Sequence, residues 1–309
     1  MGKYILRRLV EIIPTFLCLT LLVFVILALS PADPALMKLG NTATEEQIAQ
    51  VNHEFGLDQP LLVRYGKYMV NLVTKGDMGT SWVMQTKVMN EFVERLPNTL
   101  LLTAFALALT IFVGIPMGVY AAVKQNTTAD RVTVIIAMLM ISLPSFFLAL
   151  ICQLIFCLKL KWLPVTGAAT LRHFILPSIV LAASRVAGQV RLARSSMLDV
   201  INQDYIRTAN AKGCSKSRVI FYHALRNGLL PVITGIGNNV GGIVAGAVTV
   251  ETVFAIPGIG SMLVNAVRSS DVPQVMGPII FISLLVCAVN LLVDLLYAVI
   301  DPRVKMQYR

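Results

Sequence analysis

The stretch LLLTAFALALTIFVGIPMGVYAAV, residues 100–123, contains no charged side chain and decides the class of fold. An α-helix needs about 20 mostly apolar residues to cross the hydrocarbon core of a bilayer. Residues 100–123 meet that requirement. We therefore expect this stretch to form a membrane-spanning helix.

The composition of the whole chain agrees with a membrane protein. Of its 309 residues, 56% are hydrophobic and 14% are charged, and the mean hydropathy is +0.75. Soluble domains contain about 25% charged and about 45–50% apolar residues, so an ordinary soluble enzyme, a disordered regulator and a nucleic-acid binder are excluded. The net charge of +10 is explained by basic loops next to anionic lipid headgroups. We expect contact with the lipid bilayer and no nucleic-acid partner.

Five further stretches are long and apolar enough to span, so the sequence predicts an all-α membrane protein with six transmembrane helices. They are residues 12–29, 132–158, 174–190, 228–250 and 275–300. The first follows a basic start and resembles a signal peptide, but Pro31 directly after it argues against cleavage. We expect it to be retained as a span.

The distribution of Lys and Arg predicts the orientation. These residues are more numerous in the loops on the side of both termini than on the opposite side. The positive-inside rule therefore places both termini in the cytoplasm. We divide the chain into a tail with the first span (1–30), an extracytoplasmic loop or cap (31–98) and a core with the other spans (99–309).

The outer segment contains an amphipathic helix in ATEEQIAQVNHEFGL, residues 43–57. Thr44 is placed to cap its N-terminus, Gln47 is the capping-box partner three residues on, and Gly56 ends it. A folded cap, a docking surface and a gate over a pore all remain open for this segment.

A basic cytoplasmic segment, residues 191–227, carries apolar residues at helical spacing and then the small residues Ala209, Ala211 and Gly213. We predict two short helices separated at Gly213. A solvated loop touching anionic lipid would explain the charge. It would not explain the apolar positions and the small patch, which suit a helix set into a partner's groove.

Small and polar residues mark two of the spans. Gly114 and Gly118, like Gly242 and Gly246, have the four-residue spacing that lets helices approach closely in lipid. Packing within the chain and a subunit interface are both open. Polar groups at membrane depth often mark a pathway. The candidates for a translocation pathway are Arg185, Asn238, Asn239 and Glu251.

Motifs of catalysis and metal binding are missing from the sequence. There is no G-x-x-x-x-G-K-[ST] phosphate loop, no H-E-x-x-H and no G-x-S-x-G. The three histidines are scattered, and the five cysteines form no CxxC. We expect no catalytic residue, no metal site and no nucleotide hydrolysis by this chain.

Several strings resemble the dipeptide/oligopeptide/nickel family of bacterial ABC-importer permeases. They occur in order along nearly the whole chain: FGLDQPLLVRYGKY (55–68), KGDMGTSW (75–82), RLPNTLLL (95–102), ARSSMLDVINQDYIRTANAKG (193–213), HALRNGLLPVIT (223–234), VETVFAIPGIG (250–260) and NLLVDLLYAVIDPRVK (290–305).

This resemblance implies a type I ABC importer permease fold with an outer-loop cap and a cytoplasmic coupling helix. It also implies partners: a second, paralogous permease, two ATP-binding cassette subunits and an extracytoplasmic substrate-binding protein. ATP and Mg²⁺ would be bound by the ATPase subunits, with no cofactor in this chain. The localisation implied is the bacterial cell (inner) membrane.

The resemblance also assigns the 191–227 segment as the coupling loop with the "EAA" motif, which contacts the ATPase. The acidic residue and one alanine of the general motif are absent here, a departure that resembles the peptide branch. The residues implied to couple to the ATPase are Tyr205, Arg207, Thr208, Ala209, Ala211, Lys212, Gly213 and Arg218.

The substrate implied is a di- or oligopeptide, with nickel or a metal chelate as the alternative within the family. An autonomous secondary transporter would need midplane ionisable groups and usually an inverted repeat, and only Arg185 fits. A membrane enzyme would need a catalytic cluster. A scaffold without transport would not require the helix with small and apolar residues.

Overall fold

The computed structural model describes residues 2–29, 34–39 and 43–300. Within them the chain forms helices, and the strand-like pairing is an isolated bridge between Thr80 and Lys87. The all-α prediction is confirmed for this part of the chain. Among the described residues, the contacts form a larger unit, Leu100–Ile256 with residues 288–300, and a smaller unit, Gly2–Thr99 with Pro257–Cys287.

Fourteen α-helices follow one another in the described residues. The first seven are α1 (Gly2–Ala28), α2 (Pro34–Leu39), α3 (Glu45–Glu54), α4 (Leu61–Lys75), α5 (Val88–Leu109), α6 (Ile115–Val123) and α7 (Thr128–Ser142). The others are α8 (Ser145–Cys152), α9 (Arg172–Ile201), α10 (Asp204–Ala211), α11 (Lys216–Arg218), α12 (Leu225–Val253), α13 (Ile259–Arg268) and α14 (Val272–Ile300). Three π-helical segments continue or join them: Thr110–Gly114, Gln153–Lys159 and Val219–Ala224.

The number of spans is lower than six in the described residues. Four continuous helices are long and apolar enough to cross a membrane, namely Val88–Val123, Arg172–Ile201, Lys216–Val253 and Val272–Leu292. A bent pair of helices would make a fifth, and Ile13–Ala28 in α1 is a shorter apolar helix. The count of six therefore stays a prediction.

The predicted span over residues 132–158 is not one continuous helix, because two helices meet there at 102°. Leu143 between them has an extended backbone, with φ −84° and ψ 125°. Pro144 follows it, and the proline ring disfavours helical geometry in the preceding residue. Proline also lacks the N–H that would continue the helical hydrogen bonds. The chain therefore turns at Pro144 and begins α8.

Helix α9 lies at the centre of the larger unit and contacts α6, α7, α8 and α12. It runs to Ile201, past the predicted end of the span at residue 190. The extension is helical because it too has neighbours: Ala193 and Met197 are fully buried. The predicted cytoplasmic loop thus begins as part of this long helix.

The second short helix predicted after Gly213 is not separate. The chain from Lys216 to Val253 is one continuous helical run, which includes the predicted span 228–250. The sequence also did not predict α13, which lies in the smaller unit with its N-terminus held by Thr99, whose hydroxyl accepts a hydrogen bond from the Ile259 N–H at 2.8 Å.

The predicted start of the outer amphipathic helix is confirmed. Thr44 has an extended backbone, and its hydroxyl accepts a hydrogen bond from the Gln47 N–H, while the Gln47 side chain accepts one from the Thr44 N–H. Helix α3 ends at Glu54, and Gly56 has φ +65°, in the left-handed region that glycine favours. Both ends follow the predicted chemistry.

Candidate coupling surface and polar helix interface

A short helical projection follows α9 in the larger unit. Helix α10 begins at Asp204 after an extended Gln203 and ends at Ala211. Gly213 then takes φ +77°, a conformation that side chains with a Cβ rarely adopt. The predicted break at Gly213 is confirmed, and it lets the chain turn into the helix that starts at Lys216.

One face of α10 packs against its own chain. Ile206 and Ala209 are buried in a cluster with Met197, Val219 and Ala224. The apolar positions of this segment therefore serve internal packing rather than presenting a hydrophobic face to a partner. This differs from the sequence-based interpretation, because the end of α9 and the start of the next helix enclose them.

The other face of the projection is exposed. It consists of Tyr205, Arg207, Thr208, Ala211, Lys212, Gly213 and Arg218. Together with buried Ala209, these are the predicted coupling residues, and the structure places them on one local projection. The projection also carries a solvent-exposed ion pair. The Arg207 guanidinium lies 3.6 Å from the Asp204 carboxylate, and both side chains are largely exposed.

Two exposed aromatic residues extend this face, and sequence reasoning missed them. Phe221 is 66% exposed and Tyr222 is 62% exposed, although both belong to the helical run that starts at Lys216. Tyr205 contributes a third ring, whose hydroxyl accepts a hydrogen bond from the Asn227 side chain at 2.9 Å. Exposed aromatics beside basic residues are typical of a binding surface. The signal in the sequence was the pair Phe221–Tyr222 inside a basic segment.

A line of polar side chains on α9 binds the backbone of α12. The Arg185 guanidinium donates to the Gly242 carbonyl at 2.9 Å, and the Gln189 side chain donates to the Val232 carbonyl at 3.1 Å. The Ser196 hydroxyl donates to the Gly228 carbonyl at 2.7 Å. In a membrane environment such bonds satisfy polar groups that have no water nearby.

Glycines on α12 make this approach possible. A Cβ added at Gly242 would lie 2.5 Å from the Arg185 guanidinium, and one at Gly246 would lie 3.0 Å from Leu181. Gly114 and Gly118 act alike on the other side of α9, where a Cβ at Gly118 would lie 2.5 Å from the Val190 carbonyl oxygen. These glycines therefore serve packing within the chain.

The structure describes three of the four predicted pathway side chains. Arg185 and Asn239 both belong to the α9–α12 interface, since the Asn239 side chain donates to Gln189 at 2.9 Å. Glu251 is fully buried near the end of α12. The side chain of Asn238 lies outside the described residues.

Two polar features of α9 were missed by the sequence reasoning. Gln189 is 1% exposed and bonds both Val232 and Asn239. Arg194 holds Asp130 with two short hydrogen bonds of 2.6 and 2.8 Å, and the Asp130 side chain is almost fully buried. The position of Gln189 four residues after Arg185 puts both on one helix face, which was the available signal.

The described residues contain no group of three or more His, Cys, Asp or Glu side chains that could hold a metal ion. The larger unit contains a tightly packed helix pair whose connection carries an exposed projection.

Comparison with known proteins identifies the family. A family model described as "Binding-protein-dependent transport system inner membrane component" matches residues 114–306. A second, "Binding-prot-dependent transport system membrane comp, N-term", matches residues 1–103.

Relatives match along the full length. The chain is 40% identical over 305 residues to the glutathione transport system permease protein GsiC of Salmonella typhimurium, covering 99% of both chains. It is 39% identical over 313 residues to a putative peptide transport system permease protein of Brucella abortus, again covering 99% of both.

Solved structures share the fold. The inward-facing MetNI methionine ABC transporter matches with a TM-score of 0.61 and 15% identity, over 69% of this chain and 97% of the other. An amino acid ABC transporter matches with a TM-score of 0.51, over 70% of this chain and 94% of the other. The type I permease fold is thereby confirmed, and the chain belongs to the family of binding-protein-dependent transport system inner membrane components, the permeases of ABC importers.

Proposed function

We propose that this chain is one pore-forming subunit of an ATP-driven importer of short peptides. The observation that carries the substrate class is the full-length similarity to permeases named for glutathione and peptide transport. A component of a binding-protein-dependent transport system works with a binding protein and ATPase subunits. We further propose a second, paralogous permease as the partner that completes the pore.

In this proposal both termini face the cytoplasm of the bacterial cell, residues 31–98 form the extracytoplasmic cap and residues 99–309 form the permease core. The excess of Lys and Arg in the loops on the terminal side supports this orientation. The projection that contains α10 then faces the cytoplasm.

The proposed role of the projection is to contact an ATPase subunit. The residues of this contact are Tyr205, Arg207, Thr208, Ala209, Ala211, Lys212, Gly213 and Arg218, with Phe221 and Tyr222 added from the structure. ATP and Mg²⁺ bind the ATPase subunits, and this chain supplies no cofactor site. Support comes from the local geometry: a rigid buried side holds α10 in place while the other side stays exposed.

Motion of the projection would be passed on by the α9–α12 pair. Side chains of α9 bond backbone carbonyls of α12, and glycines bring the two helices close. Such a pair moves as one body. The free energy comes from the differential binding of ATP to the closed state of the ATPase dimer.

The proposed pathway residues remain Arg185, Asn238, Asn239 and Glu251. Arg185 and Asn239 are anchored to the α9–α12 interface. A reorientation of this helix pair would therefore change which groups face the pathway.

The proposal is tested by purifying the tagged chain from native expression in mild detergent and identifying what copurifies. A second permease and a Walker-motif ATPase are expected. The complex, reconstituted in proteoliposomes with its binding protein, should then accumulate labelled short peptides when ATP is enclosed. Uptake of nickel or a nickel chelate instead of peptides would contradict the substrate class.

The orientation is tested separately with an impermeant thiol reagent. In a variant that keeps Cys214 and lacks the other four cysteines, the thiol should react only from the cytoplasmic side. Reaction solely from outside would overturn the topology.

A further inference from the structure

A cleft of about 680 Å³ opens in the smaller unit, and none of the residues assigned above lines it. Its volume lies within the range of about 300–1,000 Å³ that is usual for small-molecule sites. Residues of α4 line part of it, together with the end of α3 and the segment around Trp82.

The α4 side of the cleft presents polar groups on one helix face. Arg64, Lys67, Tyr68 and Asn71 all line it, and their spacing of three, four and seven residues places them side by side. Lys67 is engaged, since its ammonium donates to the Gln59 side chain at 2.7 Å.

Arg64 and Tyr68 have no hydrogen-bond acceptor within the part of the chain that the structure describes. The Arg64 guanidinium is half-buried over the ring of Phe24, 5.7 Å from the ring centroid, and makes no ion pair with a carboxylate of the described residues. The Tyr68 hydroxyl is buried and has no hydrogen-bond partner within the described part of the chain. Burial raises the pKa of Tyr68, so the phenol stays neutral and able to donate.

An apolar surface adjoins these donors. Phe55 and Trp82 both line the cleft, with their rings stacked at a centroid distance of 4.9 Å and an interplanar angle of 10°. The other ionisable lining groups are Glu54 and His53, and His53 is bonded to Asp58 at 2.9 Å. Judged by the described residues, the cleft thus offers a guanidinium without a carboxylate partner and a hydroxyl without an acceptor, together with two aromatic rings.

We infer that this cleft binds the terminal carboxylate of a short peptide through Arg64 and Tyr68, with an apolar side chain of the peptide against the Phe55–Trp82 stack. A guanidinium binds a carboxylate with a planar, two-bond geometry. The peptide as ligand rests on the proposed function, and the cleft would hold peptides on the extracytoplasmic side before they enter the pore.

Calorimetric titration of the copurified transporter in nanodiscs, without its binding protein, tests this inference. The probes are alanyl-phenylalanine and its C-terminal amide. We expect the acid to bind at least tenfold more tightly than the amide. Equal affinity for the two probes, or no binding of the acid, would overturn the inference.

Substitutions in the cleft test which side chains distinguish the peptide acid from its amide. Arg64→Gln should weaken binding of the acid at least tenfold and abolish its preference over the amide, and Tyr68→Phe should weaken it severalfold. Lys75→Gln removes a positive charge from the exposed last turn of the same helix, outside the cleft, and should change neither affinity. If Arg64→Gln does not assemble, the milder Tyr68→Phe decides, and unchanged binding in that variant counts against the site.

Uptake separates this inference from the proposed function. Peptide uptake by the complete transporter, with no binding of the acid at the cleft, would contradict the inference about the cleft and support the proposed function. Selective binding of the acid without any ATP-driven peptide uptake would support the binding site in the cleft and contradict the proposed function.

Discussion

The α9–α12 interface and the projection after α9 belong to one unit but are built in opposite ways. At the interface every polar group described above is bonded to a neighbouring helix and glycines bring the backbones together. On the projection, Arg207, Phe221 and Tyr222 stay exposed. The bonded groups of the interface maintain the fold, whereas the exposed groups of the projection are available for the partner contact proposed above. Substitutions in the two regions should therefore fail in different ways.

The largest effect is expected for Gly118→Leu at the packed surface of α9. A Cβ at this position would lie 2.5 Å from the Val190 carbonyl oxygen and 2.7 Å from the Ala193 Cβ. Overpacking by a few methylenes already costs about 1–3 kcal/mol, and here the backbone itself is in the way. We expect little monodisperse protein in gel filtration of the detergent extract.

Gly66→Leu is the matched control for that substitution. Gly66 lies within α4 and has no heavy atom within 4 Å of its added Cβ. Its yield should be close to wild type. Wild-type yield and melting temperature for Gly118→Leu would contradict the packing argument.

Gly213→Trp tests the projection and should spare the fold. A Cβ added at Gly213 meets no atom within 4 Å, so the substitution causes no steric clash there. The left-handed backbone at φ +77° destabilises the folded state by about 1–2 kcal/mol for a residue with a side chain. We expect normal amounts in the membrane and persisting ATP hydrolysis, with peptide uptake reduced at least tenfold because the indole blocks the proposed ATPase contact.

Gly213→Asn is the control for backbone strain, since asparagine tolerates the left-handed region. It should retain most of the uptake. Normal uptake by Gly213→Trp would show that this surface does not couple to ATP hydrolysis.

Asp130→Asn breaks a partly buried ion pair between α7 and α9. The Asp130 side chain is 4% exposed and is held by Arg194 through two hydrogen bonds. Removing one partner of a partly buried pair costs about 1–3 kcal/mol because the other group loses its hydrogen bonds. The expected result is a clear fall in the melting temperature of the purified complex.

The double variant Asp130→Asn with Arg194→Gln provides the check. Because the two groups interact directly, the double variant should lose less stability than the sum of the losses of the two single variants. Additive losses would mean that the two side chains contribute independently.

The smallest effect is expected for Asp204→Asn, the exposed counterpart. Its carboxylate lies 3.6 Å from Arg207, and both groups are mostly in solvent, where ion pairs contribute little. The melting temperature should equal that of the wild type. A fall comparable to that of Asp130→Asn would remove the distinction between the two regions.

Local signals in the sequence predicted the parts of the fold that depend on local chemistry. The capping box of Thr44 and Gln47 and the left-handed turn at Gly213 each depend on a few neighbouring residues. Apolar runs located the long helices for the same reason. Pro144 was also visible, but the uninterrupted apolar pattern around it favoured one span over the bent pair that forms.

Contacts between residues distant in sequence could not be predicted in this way. Asp130 and Arg194 are 64 positions apart, and Arg185 bonds a carbonyl 57 positions away. Periodicity tells which face of α9 is buried but not which group on another helix will meet it. The same limit explains why the apolar positions of the 191–227 segment were interpreted as partner-facing, although Ile206 among them is enclosed by its own chain.

The π-helical segment Val219–Ala224 has a consequence for the helix that it joins to the projection. A π-turn holds one residue more than an α-turn, and each helical residue rotates the side-chain direction by about 100°. The positions that tolerate substitution and those that do not alternate with the helical period, and this pattern is therefore displaced by one residue at the π-helical segment. A saturation scan across Lys216–Val253 should show that the positions sensitive to substitution repeat with the helical period on both sides of the segment, but with an offset of one residue between the two sides. The helix period of α12 therefore does not predict which face a residue before this segment occupies.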